Sequence, residues 1–409
     1  MSPHGGLAGE RQIADRLVAL TSWLREHRPL WRVRPFVDQA VPWAGDYPVL
    51  ESWLLSRSSE EVARIEAGDA IPGQPALFTT LLEQKQRLIG VCDGVGSGVD
   101  PAGRMPSVRL RKSAQIAALT KLSAPLVDGP GLEHVIDWCS GKGHLGRSIG
   151  AVTDTGLILV ERDAALCKDG ERLAAEAGLA CRVLNLDVLK EDMSLSLPSR
   201  GLLVGLHACG SLGERLLNVA VDTAQSSVVY APCCYHRGYM EGPYTPLSTR
   251  ARDLELGLIW SDLRLPTLDE AVASPRKRVR RHREQAWRLA VDALVREATG
   301  RDVYTPLGPA PKAWLAGSFG EFARRLTSRA ALPLPTTWSA DAAQALGWQR
   351  AKSARALGAL RSVFRRPLEL WLVLDRALYL SERGYSVDVV RFCEARITPR
   401  NLVIIASRR

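Results

Sequence analysis

The stretch His134-Val135-Ile136-Asp137-Trp138-Cys139-Ser140-Gly141-Lys142-Gly143-His144-Leu145-Gly146-Arg147 is an apolar run that ends in an acid and then in closely spaced glycines. It reads as a β-strand feeding a tight turn into a helix. Gly141 and Gly143 lack a Cβ, so the backbone can take positive φ there and lie against a ligand that any side chain would strike. Ser140, Gly141 and Gly143 are therefore expected to line a binding site. Gly141 to Gly146 also spells the G-x-G-x-x-G string of dinucleotide folds, with Glu161 following at about the spacing of their ribose-binding acid.

Two more strand-like runs follow in step, each ending in an acid. Leu157-Ile158-Leu159-Val160 ends at Glu161, and Cys181-Arg182-Val183-Leu184-Asn185-Leu186 ends at Asp187. The Glu161 carboxylate is suited to accept from both hydroxyls of a ribose, and Asp187 to accept from an adenine amino group. Asp137, at the end of the first run, is suited to meet a cationic methionine end through charge-assisted hydrogen bonds. Those three acids fit S-adenosylmethionine better than NAD. The plainer reading makes each acid a helix N-cap and nothing more. Three in register with one glycine turn favour the donor pocket.

The next two strand-like runs bring chemistry. Gly201 to Leu206 leads into His207-Ala208-Cys209-Gly210, and Val228 to Ala231 leads into Pro232-Cys233-Cys234-Tyr235-His236-Arg237-Gly238. Loops at the carboxyl ends of an open parallel sheet converge on one crevice, which places these side chains beside the methyl donor. Transfer from a sulfonium asks mainly for in-line positioning. A hydroxyl or protonated-nitrogen acceptor also needs a base, for which His207 and His236 have suitable pKa values. The expected catalytic set is His207, His236, Cys233 and Tyr235, with His207 also at the donor. The His and Cys residues have the composition of a zinc site as well. Cys233 and Cys234 are adjacent, however, and neighbours in an extended chain point opposite ways, so no metal is expected.

The strings "DWCSGKGHLGR", "LHACGSL" and "PCCYHRG", closing with "ITPRNLVII", resemble a known domain. It is shared by eukaryotic tRNA acceptor-stem 2′-O-methyltransferases and by methyltransferase-like proteins, one of which is named for a ribosomal RNA adenine dimethylase domain. The resemblance covers residues 131–238 and recurs weakly at 366–409. It implies a class I, S-adenosylmethionine-dependent methyltransferase. The tRNA enzymes carry a second His where Tyr235 stands and a further Cys where Gly238 stands, and this chain has no zinc-finger cysteines near its start. The resemblance thus carries the reaction class and not the substrate.

The alternation of strand and helix signals over 133–238 implies an α/β fold, a Rossmann-like seven-stranded, mostly parallel sheet. Its last two strands are Ser386 to Phe392 and Asn401 to Ala406, an antiparallel C-terminal hairpin after a helix from Leu368 to Glu382. Five stretches are expected: a helical N-terminal domain (1–92), a Gly-rich linker (93–106), the donor-binding core (107–238), a mainly helical insertion (239–365), and the closing helix and hairpin (366–409). In the first, Ile13, Leu17, Leu20 and Leu24 recur at helical spacing, and Ser58-Ser59-Glu60-Glu61 spells a capping box.

A chain of 409 residues with 46% hydrophobic content can bury a large core. The apolar runs are too short to span a bilayer and the polar start has no signal-peptide profile, so a cytoplasmic protein is expected, away from membranes. Its eight cysteines are not spaced as a disulfide framework, and free thiols are expected. The net charge of +10 biases partners toward polyanions. The basic run 276–283 and the arginines of the C-terminal segment (Arg361, Arg365, Arg366, Arg396, Arg400, Arg408, Arg409) are candidates to position RNA phosphates. Three functions fit: methylation of RNA, methylation of a protein or small molecule, and a non-catalytic binding protein that keeps the fold.

Overall fold

The computed structural model describes residues 7–38, 41–90, 110–127, 132–193, 196–239, 242–268 and 274–409. The expected linker at 93–106 lies outside them. The chain divides into two compact units, one of residues 1–26, 86–272 and 365–409, the other of residues 27–85 and 273–364.

The first unit is built on an eight-stranded sheet. In chain order its strands are β1 (Leu7–Ala8), β2 (His134–Trp138), β3 (Gly156–Glu161), β4 (Cys181–Asn185), β5 (Leu202–Leu206), β6 (Ser227–Ala231), β7 (Tyr385–Arg391) and β8 (Leu402–Arg408). They lie in the order β1-β7-β8-β6-β5-β2-β3-β4. The five strands β2 to β6 are parallel, and β8 runs antiparallel to both β6 and β7. The seven expected strands are all present, and β1 adds an eighth at the edge, antiparallel to β7. The order reverses at β2, whose neighbours are β3 and β5. In an open α/β sheet this switch point is where a crevice opens at the carboxyl ends of the strands.

Parallel strands need crossovers, here the helices His144–Thr153, Ala164–Glu176 and Ser211–Asp222. One face of the sheet, with Val135, Leu157, Leu159, Val204 and Val229, packs against Ile116, Leu119 and Leu122 of the helix Leu110–Val127 and against Leu145 and Ile149. These strands read as near-continuous apolar runs because both faces are covered.

The helix Ala340–Ser381 crosses the boundary between the units in sequence, with Pro367 in its interior. Past that proline it holds the sheet unit's loops by buried charge. Asp375 is fully buried and accepts from Tyr244 Oη (2.9 Å), Leu247 N (3.0 Å), Ser248 N (2.8 Å) and Ser248 Oγ (2.9 Å). Its neighbour Arg376, 1% exposed, pairs with Glu214 at 2.8 Å. Buried charges persist only when paired in this way.

The second unit is helical. Its core gathers Trp287, Leu294, Phe319, Phe322 and Leu326, and the buried Asp292 is held by Arg296 (2.9 Å) and Arg350 (2.8 Å). The capping box read at Ser58 is present: Ser58 N donates to Glu61 Oε2 at 2.8 Å and Glu61 N donates to Ser58 Oγ at 3.1 Å.

The grouping differs from the five consecutive stretches. Residues 10–26 join the sheet unit, because β1 pairs with β7, and Trp371 Nε1 donates to Thr21 Oγ1 at 2.8 Å. Residues 242–268 also stay with the sheet unit, tied by Asp375, so the helical unit takes 27–85 with 273–364. Among the described residues, no helix is long and apolar enough to cross a membrane.

Candidate methyl-donor site

The turn after β2 is wound left-handed. Cys139, Gly141 and Gly143 have φ of +53°, +57° and +69°. The two glycines take that conformation without strain, and the space where a Gly141 side chain would stand is empty for 4 Å. The loop is held by its neighbours. Ser140 N donates to the Val160 carbonyl at 3.0 Å, and Gly141 N donates to Glu161 Oε2 at 2.9 Å. The other Glu161 oxygen accepts from Arg162 N (2.8 Å) and Asp163 N (2.9 Å). A carboxylate offers about four acceptor positions, so one remains on Oε2.

Asp137 is engaged by the backbone of the helix that follows the turn. Its Oδ2 accepts from Gly146 N at 2.8 Å, inside the first turn of the following helix, and it is only 3% exposed. A Cβ at Gly146 would stand 2.6 Å from Leu157 Cδ1 and 2.9 Å from Asp137 Cβ, so the helix start is pressed against the sheet. Burial pushes the Asp137 pKa up to about 7, against the Gly146 hydrogen bond and the charges of Lys112 and Arg147, with Glu161 adding to the rise. Lys112, on the helix Leu110–Val127, also holds the His207 pKa down, second to burial and with Arg400, against Cys234. Neither cation carries a signal in its own local sequence, since separate elements bring each one in.

Asp187 lies two residues beyond β4, with its side chain 19% exposed, and pairs loosely with Arg162 (3.7 Å) and Lys190 (3.8 Å). Asn185 Nδ2 donates to the carbonyls of Glu161 (3.1 Å) and Arg162 (2.8 Å), fixing the loop between the two acids. Pairing of Asp137 with Leu159 and of Glu161 with Asn185 puts the three acids at successive carboxyl ends.

Residues 111–239 match the family model described as a methyltransferase domain. The α/β unit therefore contains a methyltransferase domain. The chain is similar to glutathione S-transferase C-terminal domain-containing proteins of Bos taurus, 30% identical over 146 residues (35% of this chain, 22% of that one), and of Xenopus laevis, 28% over 147 residues (35% and 23%). The matched segment spans less than a quarter of those relatives' length. It is also similar to the solved RNA methyltransferase of Salinibacter ruber in complex with S-adenosyl-L-homocysteine, at 18% identity over 31% of this chain and 82% of that one, with a TM-score of 0.24.

At the far side of the methyltransferase domain's switch point, β5 and β6 deliver the His and Cys residues. His207 has φ +69°, with its Nδ1 4.0 Å from Cys233 Sγ. Cys209 Sγ and Cys233 Sγ are 3.1 Å apart, and Cys234 Sγ is within 4.8 Å of both. The seven described cysteines are free thiols, as expected. Hydrogen bonds from Cys209 and Cys233 hold the Cys234 pKa far below the thiol range, with Arg237 and Arg400 assisting against burial. His236 is half-buried and edge-on to Trp260 at 6.0 Å; its Nδ1 has no partner among the described residues. Burial and Arg264 lower the His236 pKa, against Cys234 and with Arg237.

Tyr235 does not join this group. It is 1% exposed, with the Arg376 guanidinium 5.4 Å over its ring, and so is closed to a substrate. The C-terminal arginines are largely engaged within the protein. Arg361 donates to the Trp31 carbonyl (3.0 Å), Arg366 to Glu369 and Asn401 (both 2.8 Å), Arg396 to Glu394 (2.9 Å), and Arg409 pairs with Glu10 at 3.8 Å. A cleft lined by His134, Gly156, Cys181, Arg182 and Pro198, of about 520 Å³, sits at the amino ends of β2 to β4, the opposite end from the acids.

The Asp137 carboxyl has a measurable consequence. Its folded pKa lies above the unfolded value near 3.8, so the native state holds the proton more tightly over that interval. Its contribution to stability is present below pH 3.8 and is lost as pH rises toward 7, a cost of about 4 kcal/mol to the unliganded protein. Denaturant titrations across pH 4 to 8 are expected to show that decline in the wild type and a flatter profile in Asp137→Asn; parallel profiles would remove the assignment.

Proposed function

We propose that the α/β unit is an S-adenosylmethionine-dependent methyltransferase acting on RNA. The observation that carries the donor reading is the hydrogen bond joining Gly141 to Glu161 at adjacent strand ends, with open space beside Gly141. Ser140 Oγ, buried without a partner among the described residues, supplies a polar atom facing the same turn. When bound, the donor supplies a methyl group on a sulfonium. Glu161 would accept a ribose hydroxyl at its remaining Oε2 position, Asp187 the adenine amino group, and Asp137 would fix the turn that faces the methionine end. Each of these donor-side roles uses residues of the matched methyltransferase segment.

His236 is the better candidate for base. Its ring is half-buried, and burial with Arg264 lowers its pKa, which favours the neutral ring that can take a proton. His207 stands instead beside the thiols.

The RNA reading rests on the helix Pro275–Thr299. Its first turn holds Arg276, Lys277 and Arg278, all exposed, and no acid. Cations at a helix N-terminus oppose the macrodipole at a cost of about 0.3–1 kcal/mol each, so this turn is poorly satisfied by itself. A phosphate there relieves both the side-chain repulsion and the dipole.

Calorimetric titration with S-adenosylmethionine, S-adenosylhomocysteine and NAD tests the donor pocket. Both adenosyl ligands are expected to bind, and Glu161→Ala to weaken them about 10- to 100-fold through lost charge-assisted bonds; binding of NAD alone would sink the reading. With a labelled methyl group and RNA extracts, His236→Ala is expected to lower kcat about 100-fold at unchanged donor affinity. The wild-type rate should level off above about pH 6.5, whereas a rate still climbing well beyond that point speaks against this base. Replacing Arg276, Lys277, Arg278 and Arg280 with Gln should reduce the salt-dependence slope of RNA binding by about 3, at ~0.7 per phosphate on single strands. An unchanged slope, or label appearing in protein alone, would favour a different acceptor.

A further inference from the structure

The two loops that follow β5 and β6 gather three thiols whose chemistry the proposed methyl transfer does not use. Cys209 Sγ lies 3.1 Å from Cys233 Sγ, and Cys234 Sγ completes a cluster in which every sulfur is within 4.8 Å of the others. The adjacency of Cys233 and Cys234 would set their side chains apart only in extended chain. β6 ends at Ala231, before the pair, and a turn closed by Arg237 N on the Cys234 carbonyl (3.1 Å) begins at Cys234, so the pair lies outside the strand. Ser211 N donates to the Arg237 carbonyl at 3.0 Å and ties the two loops together.

A tetrahedral zinc with thiolate bonds of about 2.3 Å sets its sulfurs about 3.8 Å apart. The Cys209 to Cys233 separation of 3.1 Å is about 0.7 Å short of that spacing and about 1 Å beyond the ~2.05 Å of a disulfide bond, so the two sulfurs are unbonded and close enough to share one ion. Three thiolates around a divalent cation leave one net negative charge. Arg237 and Arg400 are the cations that act on Cys234 and offset it. Arg400 has a buried Nη1 without a partner among the described residues. His207 Nδ1, 4.0 Å from Cys233 Sγ, stands beside the cluster on the β5 side.

We propose that Cys209, Cys233 and Cys234 bind one thiophilic divalent cation, of which zinc is the type, through three thiolate bonds. Binding forms three metal–sulfur bonds and releases the protons of Cys209 and Cys233 to solvent, Cys234 already being held toward its thiolate by those two neighbours, with no change of oxidation state. The ion staples the carboxyl ends of β5 and β6 together, and His236, two residues beyond Cys234, is held by that staple.

The full-length protein, purified under reducing conditions, is expected to carry about one zinc per chain by elemental analysis. After chelation, titration with cobalt(II) is expected to give sulfur-to-metal charge-transfer absorption at about one equivalent. The Cys209→Ser/Cys233→Ser variant should lose both signals, while Cys181→Ser keeps them. Should the double variant fail to fold, the wild-type cobalt spectrum decides alone. Absence of charge-transfer absorption in reduced wild type at saturating cobalt(II), or an equal signal in the folded double variant, overturns the proposal. So does a Cys209–Cys233 disulfide in the isolated protein that, once reduced, takes up no metal. None of these readings depends on methyl-donor binding.

Discussion

The contact on which the α/β unit depends is a buried carboxylate accepting one backbone N–H, Asp137 Oδ2 on Gly146 N. It pins the first turn of the helix His144–Thr153 to the end of β2, and with both ends fixed the five residues between them, 139–143, must close in a tight loop with three left-handed positions. Glycines take two of those three positions without strain. Glu161 then ties the loop to β3, so the geometry of the proposed donor pocket follows from two carboxylates spent on backbone donors rather than on solvent. The raised pKa of Asp137 is the cost of placing that carboxylate in the interior.

The opposite side of the switch point is organised by sulfur. His207, Cys209, Cys233, Cys234 and His236 come from two adjacent strand ends, and the hydrogen bond from Ser211 to Arg237 brings the loops close enough for the thiols to cluster. Acids thus gather at the carboxyl ends of β2 to β4 and thiols at those of β5 and β6. The helix Ala340–Ser381 supports this arrangement from behind: Asp375 holds residues 244–248, and Arg376 reaches Glu214 and covers Tyr235. A tyrosine in the middle of a functional loop thus serves packing.

Much of this was legible in the residue order. The alternation of apolar runs with helical patterns, the glycine spacing and the acids at strand ends gave the sheet, its antiparallel closing pair and the candidate donor residues, because strand pairing in a βαβ array is set by local chain direction and handedness. The capping box at Ser58 was legible because its partners are three residues apart. The edge strand Leu7–Ala8 was not, since two residues carry no periodicity and their pairing partner lies at Val389. The placement of Lys112 and Arg400 near His207 was equally hidden, each being delivered by a separate element.

The sequence by itself determined the fold class and the residues at the strand ends, since both follow from short-range patterns that the backbone must satisfy locally. Which of those residues face a crevice was decided by tertiary structure. Burial removed Tyr235 from the site, the loop after β6 brought Cys233 and Cys234 near Cys209, and hydrogen bonds or ion pairs engaged Arg361, Arg366, Arg396 and Arg409 while Arg276, Lys277 and Arg278 stay exposed. The division into two units was decided there as well, because a hydrophobic face recruits whatever segment can cover it, at any separation along the chain.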